Sequence, residues 1–397
     1  MSRALLQQPR TRIIAAAVVV VLLLALGGYC WWISEQLADG AFRLRRGPRT
    51  IGLEVVAVDG DRVTLREFSD SNWKRPGIWG LEWHTDEADG FVQLMGVAAV
   101  DESRREVTRI LGSGDMPPVG AKARLENLVF DGDPGGLGLP FSEVSYESPV
   151  GPMPAWLVCE GSSAWAIFVH GRGSNQREVL RILPTLSAQG LTTMAIWYRN
   201  DEGVAESASG RYDYGASEWA DLEAAVRLAL DAGASEVVLV GYSMGGGIVS
   251  SFLLESELAS EVDLVILDSP MLDLRTTVDS ALADAGIPGP LRALGTWFTG
   301  WRFGVDWETT DYVRRADEFR APMLILHGTD DNLVPVSLSD RFVELLQSPV
   351  TYERFDGAHH TGAWNVDHER YEATVAWFLE DGLPPTVSAS AACSPAP

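Results

Sequence analysis

The stretch 237–249 reads VVLVGYSMGGGIV: four apolar residues, then Gly241-Tyr242-Ser243-Met244-Gly245, then the start of a helical run. The apolar run has the length and β-branched content of a buried strand, and the glycines mark a sharp reversal into a helix. A serine at the centre of G-x-S-x-G, between strand and helix, sits on a strained turn and presents its hydroxyl above the sheet. The helix N-terminus beneath it favours developing negative charge. The pentapeptide alone arises by chance about 0.1 to 0.2 times in a chain of this length, so its setting must carry the reading.

Outward from Ser243, strand-like and helical stretches alternate. AWAIFVH (164–170) precedes a predicted helix near Gln176–Gln189, and LTTMAIWY (191–198) precedes SEWADLEAAVRLALDAG. After the serine come DLVILD, MLILHG, VTYERF and HERYEATVAWFLEDG. This rhythm predicts an α/β domain with a mostly parallel sheet and helices on both faces. Chemistry in such sheets gathers at the C-terminal strand ends.

A nucleophilic serine needs a base and a group that orients the base. Asp331 follows the strand-like MLILHG, beside Asp330, and His359 and His360 follow VTYERF. The chain order serine, acid, histidine is that of a nucleophile-elbow enzyme. Asp268, after DLVILD, is a further acid candidate. His170 and His327 read as histidines that satisfy backbone groups, and His84 has no visible partner.

His170-Gly171-Arg172-Gly173, the Gly241–Gly246 elbow, HGTDDNLVP (327–335) and GAHHTGAW (357–364) together resemble the α/β-hydrolase superfamily. They most resemble its prolyl-oligopeptidase-like and serine-aminopeptidase-like branch, from about Phe141 to Gly382. The resemblance implies Ser243 as nucleophile, Asp331 as acid and His360 as base, with Asp330 and His359 as neighbouring alternatives. It implies an oxyanion hole from the backbone N–H groups of Met244 and Arg172, and neither metal nor organic cofactor. The implied activity is acyl transfer to water from a small-molecule ester, thioester or small amide. A peptidase of the same fold, or a non-catalytic binding protein, are the competing readings.

Ile13 to Ile33 is 21 residues without a charge, ending in Trp31 and Trp32. At about 1.5 Å per residue it spans a bilayer core, with its aromatic pair where an interfacial belt belongs. This predicts a single-pass anchor, with the catalytic domain outside the cytoplasm. Residues 1–50 hold seven arginines and two acids, whereas the remainder holds 24 basic and 53 acidic residues. A globular part so acidic argues against nucleic acid as partner. Three cysteines exclude a disulfide framework.

The predicted organisation is an N-terminal tail (1–12), a transmembrane helix (13–33), a linker (34–50), a small antiparallel β domain (51–130), a Gly/Pro-rich linker (131–140), an α/β-hydrolase domain (141–383) and a disordered tail (384–397). Between Asp268 and Ala321 the rhythm breaks, and Trp297, Phe298, Trp301, Phe303 and Trp307 cluster there. That segment, about 270–320, reads as a small lid; core packing and membrane contact are its alternatives. Tyr198, Tyr212 and Tyr214 are candidates to line the approach to the site.

Overall fold

A computed structural model describes residues 7–44, 51–69 and 73–384. The tail 385–397, residues 1–6 and the linker positions 45–50 lie outside the described residues.

In chain order, helix α1 (Gln7–Leu37) precedes six strands, β1 (Leu53–Asp59), β2 (Arg62–Glu67), β3 (Trp79–His84), β4 (Asp89–Asp101), β5 (Glu106–Gly114) and β6 (Lys122–Glu126). Then come β7 (Phe141–Ser148), β8 (Gly151–Val158), β9 (Ala164–Val169), α2 (Leu183–Ala188), β10 (Thr192–Ile196), α3 (Trp219–Asp231), β11 (Glu236–Tyr242), α4 (Met244–Glu255) and β12 (Leu264–Asp268). The chain continues through α5 (Leu274–Asp284), α6 (Gly289–Phe303), β13 (Met323–Gly328), α7 (Val336–Leu345), β14 (Val350–Phe355), α8 (Ala363–Val366) and α9 (His368–Gly382).

β1–β6 close into an antiparallel barrel in the order 1-2-5-4-3-6. Inward residues Leu53, Val55, Val63, Leu65, Leu81, Val92, Leu94 and Val107 fill it. Closure removes the exposed edges that a small open sheet would carry. Strand β3, Trp-Gly-Leu-Glu-Trp-His, adds to the strands expected here, with Trp79, Leu81 and Trp83 alternating with Gly80, Glu82 and His84. Gly80 is required there because a Cβ would stand 2.6 Å from the Phe91 ring and 2.1 Å from the Leu128 carbonyl.

The larger sheet has eight strands in the order 14-13-12-11-9-10-8-7. β10, β9, β11, β12, β13 and β14 run parallel, while β8 pairs antiparallel with β10 and β7 with β8. Every residue of β9, β12 and β13 is buried, as a parallel sheet covered on both faces requires. β7 and β8 extend the expected sheet. Pro152 and Pro154 within β8, and the Ser/Glu-rich β7, conceal them in the sequence. The helix expected at Gln176–Gln189 is instead a 3₁₀ turn (Gln176–Arg181) followed by the short α2, with Pro184 at its start.

The barrel and the hydrolase domain form one compact unit, and α1 with Leu274–Thr309 forms another. In the first, the chain leaves and re-enters at adjacent points: Asp273 bridges Asp311, and the Tyr312 N–H donates to the Leu272 carbonyl at 2.9 Å. In the second, α1 lays its C-terminal turns against α6, while its apolar residues from Ile13 to Leu24 stay exposed.

Candidate active site

β11 ends at Tyr242, and α4 begins at Met244. Ser243 between them takes φ 53° and ψ −116°, a conformation that side chains rarely adopt. Backbone hydrogen bonds hold it there. Its N–H donates to the Asp268 carbonyl at 2.9 Å, and its own carbonyl accepts from Gly246 at 3.0 Å and Met271 at 2.9 Å. The flanking glycines are sterically compelled. A Cβ on Gly245 would meet the Val169 carbonyl at 2.1 Å, and one on Gly241 would meet the Gly245 carbonyl at 2.7 Å.

The Ser243 hydroxyl lies 2.7 Å from His360 Nε2. His360 Nδ1 lies 2.7 Å from Asp331 Oδ2. The other carboxylate oxygen, Oδ1, accepts the N–H groups of Leu333 and Val334, both at 2.9 Å. His327 Nε2 stands 3.1 Å from Oδ2, while its Nδ1 meets the Ser339 hydroxyl at 2.7 Å. Burial opposes the charge on Asp331. The charge of His360 and the bonds from His327 and His360 outweigh it and hold the carboxyl well below the usual range. Burial also opposes protonation of His360, but the Asp331 charge and hydrogen bond raise its pKa above the ordinary histidine value.

The structure thus brings Ser243, Asp331 and His360 together in one hydrogen-bonded chain. It leaves the neighbouring alternatives outside: His359 Nδ1 meets the Asp330 carbonyl at 3.0 Å, and the Asp330 carboxylate meets only Thr329 among the described residues. The Asp268 carboxylate accepts from the Ser269 hydroxyl instead.

The loop after β9 lies against the serine, for a Cβ on Gly171 would stand 3.2 Å from Ser243 Cβ. Among the described residues the N–H groups of Met244 and Arg172 donate no backbone hydrogen bond. Glu178, buried, accepts the Gly171 N–H at 2.8 Å and pins this loop. His170 is spent on structure, with Nδ1 at 2.9 Å from the Gly171 carbonyl and Nε2 at 2.9 Å from Asp201. Tyr198 stacks on His170 at 4.5 Å, and Tyr198, Tyr212 and Tyr214 are all buried.

The His360 loop is braced from three sides. Asn127, just after β6, donates to the His360 carbonyl at 2.9 Å and the Thr361 hydroxyl at 2.8 Å. Arg181, buried, donates to the Thr361 carbonyl and to Asn365 Oδ1, both at 2.7 Å. The Ser269 hydroxyl accepts the Thr361 N–H at 3.0 Å. Thr361 needs this support, since its φ is 48°. Asn365 in turn ties the loop to the barrel through the Ile78 and Asn127 carbonyls.

A sequence match to the family described as "Serine aminopeptidase, S33" covers residues 162–306 and 307–363, just over half of the chain. The chain belongs to the serine aminopeptidase S33 family. It has the α/β-hydrolase fold. Within this family match, Ser243 falls in the first segment, and Asp331 and His360 in the second.

Among its relatives, the chain is 26% identical over 144 residues to the uncharacterized protein YqkD of Bacillus subtilis (strain 168). That region is 36% of this chain and 47% of YqkD, so the match spans about half the length of that relative. The esterase Pf2001 of Pyrococcus furiosus superposes with a TM-score of 0.52 at 20% identity, covering 64% of this chain and 98% of the esterase. The likeness is one of fold.

Glu178, His327, Arg181 and Asn127 were not evident as site residues. His327 carries a readable signal, since it opens the segment HGTDD four residues before Asp331. Asn127 carries none, because its contacts lie more than 230 residues away in sequence.

Proposed function

We propose that this family member is a membrane-anchored serine hydrolase. It cleaves an ester, thioester or small amide through an acyl-enzyme on Ser243. The observation that carries the reading is the continuous chain Ser243–His360–Asp331 with both links at 2.7 Å. His360 Nε2 takes the hydroxyl proton as Ser243 Oγ attacks the acyl carbon. The C–O, C–S or C–N bond then breaks, and the leaving group takes that proton from His360. Water enters the same position, gives its proton to His360, and releases the acid with return of the proton to Ser243. Asp331 keeps Nδ1 protonated and stabilises the imidazolium. The N–H groups of Met244 and Arg172 are assigned to the oxyanion.

Anchoring rests on α1, the helix long and apolar enough to cross a membrane, whose exposed run ends at Trp31 and Trp32. The N-terminus is assigned to the cytoplasm and the catalytic domain to the outside. Peptidase activity is the second reading, favoured by the family to which the chain belongs.

The experiment is fluorophosphonate labelling of membranes that contain the full chain, alongside turnover of p-nitrophenyl esters and aminoacyl p-nitroanilides. Labelling and turnover that vanish in Ser243→Ala and collapse in His360→Ala are expected. Folded wild-type protein without labelling would refute the catalytic reading, and preference for the anilides would move it to peptidase. Extraction of the protein by alkaline carbonate would refute the anchor.

A further inference from the structure

Helix α6 is held tightly to the C-terminal end of α1. Gly295 allows the crossing: a Cβ there would stand 2.6 Å from Ile33 Cγ2. Arg302 donates to the Ser34 hydroxyl at 2.6 Å, pairs with Glu35, and lies 3.7 Å above the Trp31 ring. Phe42 closes the end of the unit against Phe303 and Trp307, with ring centroids at 6.5 and 6.0 Å. These contacts fix α6 at the level of Ile33 to Glu35. There the uncharged run of α1 stops, Trp31 and Trp32 stand half exposed, and the first charge appears.

The two faces of α6 differ. Gly295, Thr296 and Thr299 are buried. Ala293, Trp297 and Trp301, at steps of four, are exposed and form an uncharged stripe. Trp297 and Trp301 leave 63% and 70% of their surface open. Tryptophan partitions to the headgroup level of a bilayer, where its ring meets apolar chains and its N–H meets water. A helix with one such stripe, fixed at that level, has the form of an interfacial helix.

We infer that the Ala293–Trp297–Trp301 face of α6 docks into the headgroup region of the bilayer that α1 crosses. This gives the protein a second membrane contact beside its anchor. The inference rests on the anchor reading above. The occupant of the stripe is lipid, because the same unit exposes the apolar length of α1, and α6 crosses α1 at its aromatic end.

The test places p-benzoylphenylalanine, one site at a time, at Leu24, Trp297, Trp301 or Trp377 of the full chain. Each variant is checked for wild-type circular dichroism, reconstituted into vesicles of phosphatidylethanolamine and phosphatidylglycerol, and irradiated. Trp377 is a reference tryptophan with 52% exposure. Lipid adducts are expected at Leu24, and at Trp297 or Trp301 in about tenfold excess over Trp377. Adducts at Leu24 but at neither α6 position would overturn the inference and leave the anchor standing. No adduct at Leu24 would overturn the anchor and this inference with it. A crosslinked protein dimer through Trp297 or Trp301 would make a second copy the occupant. Equal adducts at Trp377 would show contact common to any exposed tryptophan, and would also overturn it.

Discussion

The side-chain amide of Asn127, one residue beyond the last barrel strand, donates to the main-chain carbonyl of His360 at 2.9 Å. Its second bond, to the Thr361 hydroxyl, falls on a residue held at positive φ. The barrel thereby helps to set the position of the proposed base. Asn127 hydrogen-bonds to neither Ser243 nor Asp331 among the described residues, so its role is positioning. Each neutral hydrogen bond is worth about 0.5–1.5 kcal/mol. Asn127→Ala is expected to lower kcat about tenfold with little change in KM, because an imidazole displaced by a fraction of an ångström loses its alignment with Ser243. Asn127→Asp is expected to do the same, having lost the donor while keeping the shape. Steady-state kinetics on a p-nitrophenyl ester decide it; a KM effect with unchanged kcat would assign Asn127 to substrate binding instead.

The pH dependence follows from the coupled pair His360 and Asp331. The folded pKa of His360 is raised, so the neutral base appears only as pH climbs through a value above 6.5. The acid limb of kcat/KM is therefore expected above that pH. Asp331→Asn removes the anion that raises the pKa and leaves the burial that lowers it. The acid limb is expected to move down while the rate falls about a thousandfold or more, since an asparagine can stabilise the wrong tautomer. Stability has its own sign. The Asp331 carboxyl is depressed, so its contribution is present above its unfolded pKa of about 3.9 and is lost as the pH falls toward the folded value. Denaturant titrations of wild type and Asp331→Asn at neutral and acid pH measure this; a gap between the two that does not narrow in acid would contradict it.

How much of this was readable in the sequence depends on the range of each contact. The central parallel strands β9, β12 and β13 announce themselves as near-continuous apolar runs, because both faces are buried. The elbow announces itself through Gly241 and Gly245, where any Cβ would strike backbone. Asp331 and His360 follow strand ends, so their order and setting could be read, and the structure places them 2.7 Å apart. β8 is concealed by its prolines, whereas β3 carries a readable alternation of Trp79, Leu81 and Trp83 with Gly80, Glu82 and His84. The brace on His360 was hidden for another reason: its parts come from residues 127, 181, 269 and 365, and no local pattern links them. The association of α6 with α1 was equally unreadable, since it depends on Gly295 meeting Ile33.

His327 adds a third bonding direction on the Asp331 carboxylate, after His360 and the two backbone N–H groups. It is buried, and Ser339 fixes its other nitrogen. Removing one donor of several on an ionised acid costs less than removing the acid. His327→Gln, which can still donate, is expected to retain most activity, whereas His327→Leu is expected to lose about tenfold in kcat. The loss should come with a measurable rise in the apparent pKa of Asp331, because one of the bonds that depresses it is gone. Equal losses in both variants, with no movement in the acid profile, would mean that His327 acts through packing alone.

The crossing of α1 and α6 can be tested by covalent chemistry. An ideal Cβ on Gly295 stands 3.2 Å from Ile33 Cβ. Disulfide-linked cysteines have Cβ atoms about 3.5–4.5 Å apart, so a few tenths of an ångström of relaxation suffice. The pair Ile33→Cys and Gly295→Cys, with Cys30→Ala to remove the neighbouring thiol, is expected to close an intramolecular disulfide under mild oxidation of membranes. The product should migrate faster on a non-reducing gel and return to the ordinary position on reduction. Each single substitution should show no shift, which separates this bond from pairing with the remaining cysteines. If the double variant stays reduced, or links two chains instead of one, then Ile33 and Gly295 do not meet within a protomer. The level assigned to α6 on α1, and with it the depth proposed for Trp297 and Trp301, would then be wrong.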